Sequence, residues 1–357
     1  MEFFIIFAFL LTSFQQASNF IMNIDQNKAN HTYTNRTAGN EAGSAASPLH
    51  HPEVIIIGGS YSGMQAAMTL GRALRRVLII DADRPCNRFA PHAHNLLGGD
   101  GISPALLREE AKKQIAAYPS IHFVDDQVTA VFKAQELFTI HTHSGQQYTS
   151  EYLVLATGLK DDLPDIPGIW ECWGKSVIHC PYCHGYEFKG ARTAVLASGD
   201  SDLHMISLLK QWTGQLQVFM PPPFNFSAPA LAFLQAQNIG LTMGHITALH
   251  HQNGALQSIT LQNDSGTSRN IPLDVLYVSP PVHQALDLRD TLGYQLTASG
   301  HIQVDEGRRT TVPGLYAVGD NSCRFRSLSQ AIASGMAAGA MINFDFIQSL
   351  RPLPDIH

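Results

Sequence analysis

Apolar residues along this chain fall in short continuous runs separated by glycine turns and by stretches of helical spacing. The first run, Val54-Ile55-Ile56-Ile57, is β-branched and ends in Gly58-Gly59, which predicts a buried parallel strand. Residues 63–73 then read as a helix with Met64, Ala67, Met68 and Leu70 for burial, and Val77-Leu78-Ile79-Ile80-Asp81 as a second buried strand. Strand, turn, helix and strand within some thirty residues make a βαβ unit. Helix 101–117 follows, then strands within 121–142 and 147–156 that end in Leu153-Val154-Leu155-Ala156-Thr157-Gly158. Pro164 and Pro167 break the pattern. A second βαβ-like unit starts at Thr193-Ala194-Val195-Leu196, with a helix near 201–212 and a strand at 216–219. Polar hairpin-like strands are expected over 241–278, a strand over 313–318, and an Ala/Gly-rich helix over 329–343. The fold class is therefore α/β, with two Rossmann-like dinucleotide-binding domains, the second inserted into the first.

Length and composition agree with about two domains. The chain has 357 residues, 45% apolar and 15% charged, with net charge −6 and no run of Lys or Arg. That balance argues against nucleic acid or an anionic membrane as partner. Residues 3–12 are apolar like the core of an export signal but too short to span a bilayer, and Glu2 stands where a positive charge is expected. Residues 23–52 are polar and without periodicity, as in a disordered leader, and Met22 is an alternative start. The expected location is the cytoplasm, with export through the 3–12 segment as the alternative.

Gly58-Gly59-Ser60-Tyr61-Ser62-Gly63 nearly matches the G-x-G-x-x-G fingerprint, after a strand and opening a helix. Gly58 allows the tight turn and Gly63 the close packing of helix on strand, while the helix N-terminus offers N–H groups to a pyrophosphate. Asp81, eighteen residues beyond Gly63 at the end of the second strand, can accept hydrogen bonds from a ribose. Gly319-Asp320, with the helix near Gln330-Ala331 after it, favours FAD over NAD: the carboxylate stands at the mouth of the fold, and the helix N-terminus can face the electron-rich end of a flavin.

Five cysteines are too few for a disulfide scaffold. Only Cys180 and Cys183 are closely spaced, in His179-Cys180-Pro181-Tyr182-Cys183-His184. Cysteines three apart can close or open a disulfide with little backbone change, and a flanking His or helix N-terminus raises the thiolate fraction. His184 is placed to give and take protons. Structural zinc lacks a second ligand pair, so no metal site is assigned. The C-x-x-C-H string also fits covalent haem attachment, yet it lies inside a dinucleotide-binding pattern. Redox catalysis is the stronger reading. Cys86, Cys172 and Cys323 have no assigned role.

From about residue 53 to 345 the chain resembles thioredoxin reductases of the low-molecular-weight type, within the pyridine nucleotide-disulfide oxidoreductases. It is most similar to the branch that includes fungal and bacterial dithiol oxidases. The resemblance rests on GGSYSG at 58–63, NRFAPHAHNLLGGDGISP at 87–104, Ala156-Thr157-Gly158, CPYCHGYE at 180–187 and GLYAVGD at 314–320. It implies a homodimer with FAD held by residues 52–160 and 283–345, and an inserted domain over 161–282 carrying the cysteine pair. Residues 1–51 would be a leader and 346–357 a tail. The FAD contacts it implies are Gly58, Gly59, Ser60, Ser62, Gly63, Asp81, Ala156, Thr157, Gly158, Gly319, Asp320, Gln330 and Ala331. Cys183 would face the flavin and Cys180 would exchange with substrate. His184 stands where thioredoxin reductases carry an acid/base Asp, and His92 or His94 would be a second proton carrier.

The departure lies in the second domain. Where the family has G-x-G-x-x-A for NADPH, this chain has Ala197-Ser198-Gly199-Asp200-Ser201-Asp202, and two carboxylates are expected to point at the pyrophosphate position. No Lys or Arg occurs between Lys210 and Arg269 to meet a 2′-phosphate. NADP use is therefore in doubt. The expected function is oxidation of a small dithiol through Cys180, Cys183 and FAD, with O2 as final acceptor. The alternatives are an NADPH-dependent reductase of thioredoxin or a small disulfide, and a non-catalytic flavin-binding redox sensor.

Overall fold

The computed structural model describes residues 52–350. The signal-like segment 3–12, Met22, the polar stretch up to residue 51 and the end of the expected tail, 351–357, lie outside the described residues.

The first half runs β1 (Val54–Ile57), α1 (Tyr61–Arg72), β2 (Val77–Asp81), α2 (Pro104–Ala116) and β3 (Ile121–Asp125). A meander follows, β4 (Val128–Ala134), β5 (Leu137–Thr142) and β6 (Gln147–Ser150), then β7 (Tyr152–Leu155) and β8 (Leu159–Asp161). Next come α3 (Ile169–Cys172), β9 (Val177–Ile178), α4 (Pro181–His184), β10 (Thr193–Leu196), α5 (Leu203–Leu209), β11 (Leu216–Met220), α6 (Ala228–Ala236) and β12 (Gly240–Met243). The chain closes with β13 (His245–Gln252), β14 (Ala255–Gln262), β15 (Ser268–Pro272), β16 (Val275–Val278), β17 (Val282–Gln284), α7 (Arg289–Leu292), β18 (Leu315–Ala317) and α8 (Leu328–Leu350).

Two five-stranded sheets dominate, β18-β7-β1-β2-β3 and β12-β11-β10-β16-β9, and every pairing in both is parallel. Strand alternation explains why both faces of the first sheet are dry. Val54, Ile56, Ile79 and Val154 face α1 and α8, whereas Ile55, Leu78, Ile80 and Leu153 face Val131, Phe138 and Ile140 of the meander. Fully burying each such aliphatic side chain contributes about 1.5–3 kcal/mol. The Ala/Gly composition of α8 has a direct cause: a Cβ on Gly335 would fall 2.2 Å from the Ser62 carbonyl oxygen in α1.

The chain leaves the first sheet through β8 and returns through β17, and these two strands pair antiparallel, Asp161 opposite Val282. Among the described residues no helix is long and apolar enough to cross a membrane.

The expected hairpins over 241–278 need correction. Only β13, β14 and β15 form an antiparallel meander, while β12 and β16 join the second parallel sheet. All four β16 residues are buried, the mark of a parallel strand, but the run is short and sits in a polar stretch that masks it. Helix α8 also extends to Leu350, so residues 346–350 of the expected tail are helical.

Candidate active site

Sterics force the first glycine loop. Gly58 has φ +106°, and a Cβ there would lie 2.3 Å from the Ala156 carbonyl oxygen. A Cβ on Gly63 would lie 1.9 Å from the Gly58 carbonyl oxygen. Ser60 sits in extended geometry as the N-cap of α1 without making a side-chain cap bond, so its hydroxyl leaves the first-turn N–H groups to a ligand. Ser62 is buried beneath Gly319, whose Cβ would fall 2.7 Å from the Ser62 Oγ. Thr157 and Gly158 follow β7, where fully buried Asn321 donates from Nδ2 to the Leu155 carbonyl at 2.9 Å and to Thr157 Oγ1 at 3.3 Å. This backbone cradle, with uncommitted amides at a helix start, fits a dinucleotide such as FAD.

Two arginines not singled out in the sequence belong to this region. Arg108 of α2 pairs with Asp81 and Asp83 and donates from Nε to the Gly59 carbonyl at 3.4 Å. The buried Asp81 carboxylate is thus already committed on one oxygen. Arg326 grips Asp161 at 2.6 and 3.1 Å and reaches Asp320 Oδ2 at 3.3 Å. Burial raises the Asp320 carboxyl above its ordinary value while Arg326 opposes the rise. Linear spacing hides the pairs Arg108–Asp81 and Arg326–Asp161, because their members lie 27 and 165 residues apart.

At the other expected flavin contact, α8 starts at Leu328 and Ser327 occupies its N-terminus. The Gln330 amide donates to Ser327 Oγ at 3.2 Å and the Ala331 amide to the Ser327 carbonyl at 2.9 Å. These two N–H groups are therefore spent within the helix start, which leaves its positive end as what it offers a ligand.

The cysteine pair forms a disulfide, with Cα atoms 5.3 Å apart. Cys180 is the N-cap of the single turn α4, Pro181 occupies its first position, and the Cys183 amide donates to Cys180 Sγ at 3.2 Å. That bond can stabilise a thiolate on Cys180 once the pair is reduced. The two flanking histidines differ from each other. His179 stacks on Trp173 at 5.5 Å, and burial, with Arg326 nearby, drives its imidazole down to about 4. It is neutral at pH 7, so the expectation that a flanking His supplies positive charge fails for His179. His184 is half-buried; burial lowers its pKa, Glu187 opposes and His94 adds to the fall.

His94 stands edge-on to His184, with ring centroids 6.2 Å apart. His92 lies one ring further out, 6.2 Å from His94, with its Nδ1 at 3.1 Å from the Gly101 carbonyl. The structure thus places His94, and not His92, against His184. The other cysteines are free. Cys86 is exposed, and its thiol donates to Asp320 Oδ2 at 3.8 Å. Burial raises the pKa of Cys172.

The second glycine loop is closed by its own acids. Asp202 is buried, and its carboxylate accepts from the Ser198 amide at 2.7 Å and from Ser198 Oγ at 2.9 Å. Asp200 Oδ1 accepts from the Ser227 amide at 2.9 Å, which lowers its carboxyl below the ordinary range. Asp202 therefore does not point outward as expected. It turns in and holds the Ser198 amide within the loop.

The family model for pyridine nucleotide-disulphide oxidoreductases matches residues 52–335. The chain belongs to that family. Thioredoxin reductase sirT of Leptosphaeria maculans is 26% identical, covering 82% of this chain and 93% of its own length. Thioredoxin reductase tcpT of Claviceps purpurea is 28% identical, covering 84% of this chain and 95% of its own. The crystal structure of an oxidoreductase from Agrobacterium tumefaciens, 34% identical, superposes with a TM-score of 0.76 over 83% of this chain and 99% of its own. The enzyme is a thioredoxin reductase-like, FAD-binding disulphide oxidoreductase with a closed Cys180–Cys183 pair.

Proposed function

We propose that this enzyme oxidises a small dithiol and that O2 is its final electron acceptor. The observation that carries this reading is the second glycine loop, where Asp202 and Asp200 occupy the Ser198 and Ser227 amides. With no Lys or Arg between Lys210 and Arg269, the site for NADPH lacks a cation for the 2′-phosphate, and Asp202 holds one amide of its loop, that of Ser198.

In this reading one substrate thiolate attacks Cys180 Sγ, the Cys180–Cys183 bond breaks, and Cys183 leaves as thiolate. The second substrate thiolate then attacks the substrate sulfur of the mixed disulfide, which releases the oxidised substrate and a Cys180 thiolate steadied by the Cys183 amide. His184 takes the thiol protons. FAD, when bound, would supply the route by which the electron pair passes to O2, giving peroxide, as the Cys180–Cys183 bond re-forms. The groups assigned to hold it are the loop Gly58, Gly59, Ser60, Ser62 and Gly63, with Asp81, Ala156, Thr157, Gly158, Gly319, Asp320 and the α8 start at Gln330 and Ala331. The domain divisions at 160/161 and 282/283 fall on the β8–β17 pair, and a cytoplasmic homodimer completes the proposal.

Anaerobic mixing tests it. Dithiothreitol is expected to bleach the flavin absorbance quickly and NADPH only slowly, with peroxide appearing when air is admitted. Rapid bleaching by NADPH would overturn the oxidase reading and favour the second one, an NADPH-dependent disulfide reductase, which the names of the fungal relatives support. Turnover unchanged in Cys180→Ser would favour a redox sensor instead.

A further inference from the structure

His184 belongs to a group of ionisable side chains drawn from two separate stretches of sequence. The Nδ1 of His94, from the loop between β2 and α2, lies 3.6 Å from Glu187 Oε1 and 3.6 Å from Asp100 Oδ2. Asp100 is itself fixed, because its Oδ1 accepts from the Asn95 amide at 2.7 Å and leaves Oδ2 for the imidazole. The loop is pinned as well: the Ala93 amide donates to the Ile102 carbonyl and the Gly101 amide to the Ala93 carbonyl, both at 2.8 Å. His179 also faces His184, and Tyr277 faces Glu187. Side-chain exposure rises from 18% at His94 to 37% at Glu187 and 67% at Asp100, so the group leads outward from His184 to water.

We propose that His94, held by Glu187 and Asp100, carries protons between His184 and solvent while a dithiol exchanges with the Cys180–Cys183 pair. This rests on the thiol-exchange chemistry proposed above and adds the route of its protons. Oxidation of one dithiol by the enzyme disulfide forms one substrate disulfide and two cysteine thiolates, and it frees two protons. His184 is half-buried and disfavoured as a cation, so it must pass each proton on before taking the next. His94 stands next in line, with the Glu187 and Asp100 carboxylates each 3.6 Å from its Nδ1. The edge-on rings, with centroids 6.2 Å apart, make His94 the imidazole next to His184. His94 meets the site through the His184 ring, so its role is to relay rather than to attack.

The test uses the FAD-loaded protein. His94→Asn is expected to slow anaerobic bleaching by dithiothreitol about tenfold or more, with recovery on adding imidazole and an unchanged yellow spectrum as the check on folding. Glu187→Gln removes the anion that favours charged His184. In the prereduced protein, the inflection in the pH profile of Cys180 alkylation by iodoacetamide is then expected to move to lower pH. That second measurement needs neither O2 nor NADPH, so it tests the coupling of Glu187 to His184, from which the relay starts, even if NADPH proves to be the reductant and the oxidase reading falls. Bleaching at the wild-type rate in His94→Asn, or slowed bleaching that imidazole does not restore, together with superimposable alkylation profiles in Glu187→Gln, would overturn the relay.

Discussion

The two glycine loops follow equivalent strands, β1 and β10, yet they end in opposite states. In the first, Gly58 and Gly63 are required by backbone contacts of 2.3 and 1.9 Å for any added Cβ, and Ser60 leaves the amides of α1 uncapped. In the second, a Cβ on Gly199 would meet nothing nearer than 3.2 Å, and two carboxylates have taken neighbouring amides. The first loop leaves its helix start without a side-chain cap. The other has satisfied itself. A dinucleotide fold can therefore persist as a scaffold for the cysteine pair after the groups that would bind a second nucleotide have been turned to internal use.

Four experiments press on that contrast. Gly63→Ala has the largest expected effect, because the methyl group meets backbone rather than a movable side chain: a loss above about 3 kcal/mol and a colourless protein, read by thermal melts and by flavin absorbance. Retained colour would mean that the first loop can relax as the second has. Asp202→Ala strands the Ser198 amide and is expected to cost about 1–3 kcal/mol in urea unfolding, without making NADPH an efficient reductant. Should NADPH then bleach the flavin, the carboxylate alone closes that loop.

Acid should act between the loops, at His179. Its folded-state pKa lies near 4, below the ordinary histidine value of 6.5, so the unfolded chain binds the proton first. Its contribution to stability is complete above about pH 6.5 and is lost as pH falls towards about 4. His179→Phe is expected to flatten that part of the pH–stability curve, measured by urea midpoints. The smallest effect separates two serines. Ser227→Ala removes an N-cap bond to the Ala230 amide and should cost about 1 kcal/mol, whereas Ser60→Ala, which removes no cap, should change thermal stability by under about 0.5 kcal/mol.

Much of the architecture was legible because parallel strands announce themselves: 54–57, 77–81, 193–196 and 216–219 are short, mostly apolar runs bounded by turns. The runs that failed to show, β12 and β16, are four residues each and lie beside a polar meander, where periodicity has too few positions to register. Of the site, the cysteine pair and the first loop rest on spacings of three and five residues and could be read directly. Arg108, Arg326 and Glu187 could not be assigned, because their partners lie far along the chain or, for Glu187 with His94, on another loop.

Short-range chemistry in the sequence determined that this protein has a dinucleotide turn, a closable cysteine pair and no Lys or Arg between Lys210 and Arg269, since each depends only on neighbouring residues. The tertiary structure decided which charges are in use. It turned Asp202 inward, neutralised His179 by burial and set His94 against His184, because solvation and the approach of distant segments control ionisation, and neither is encoded in local spacing.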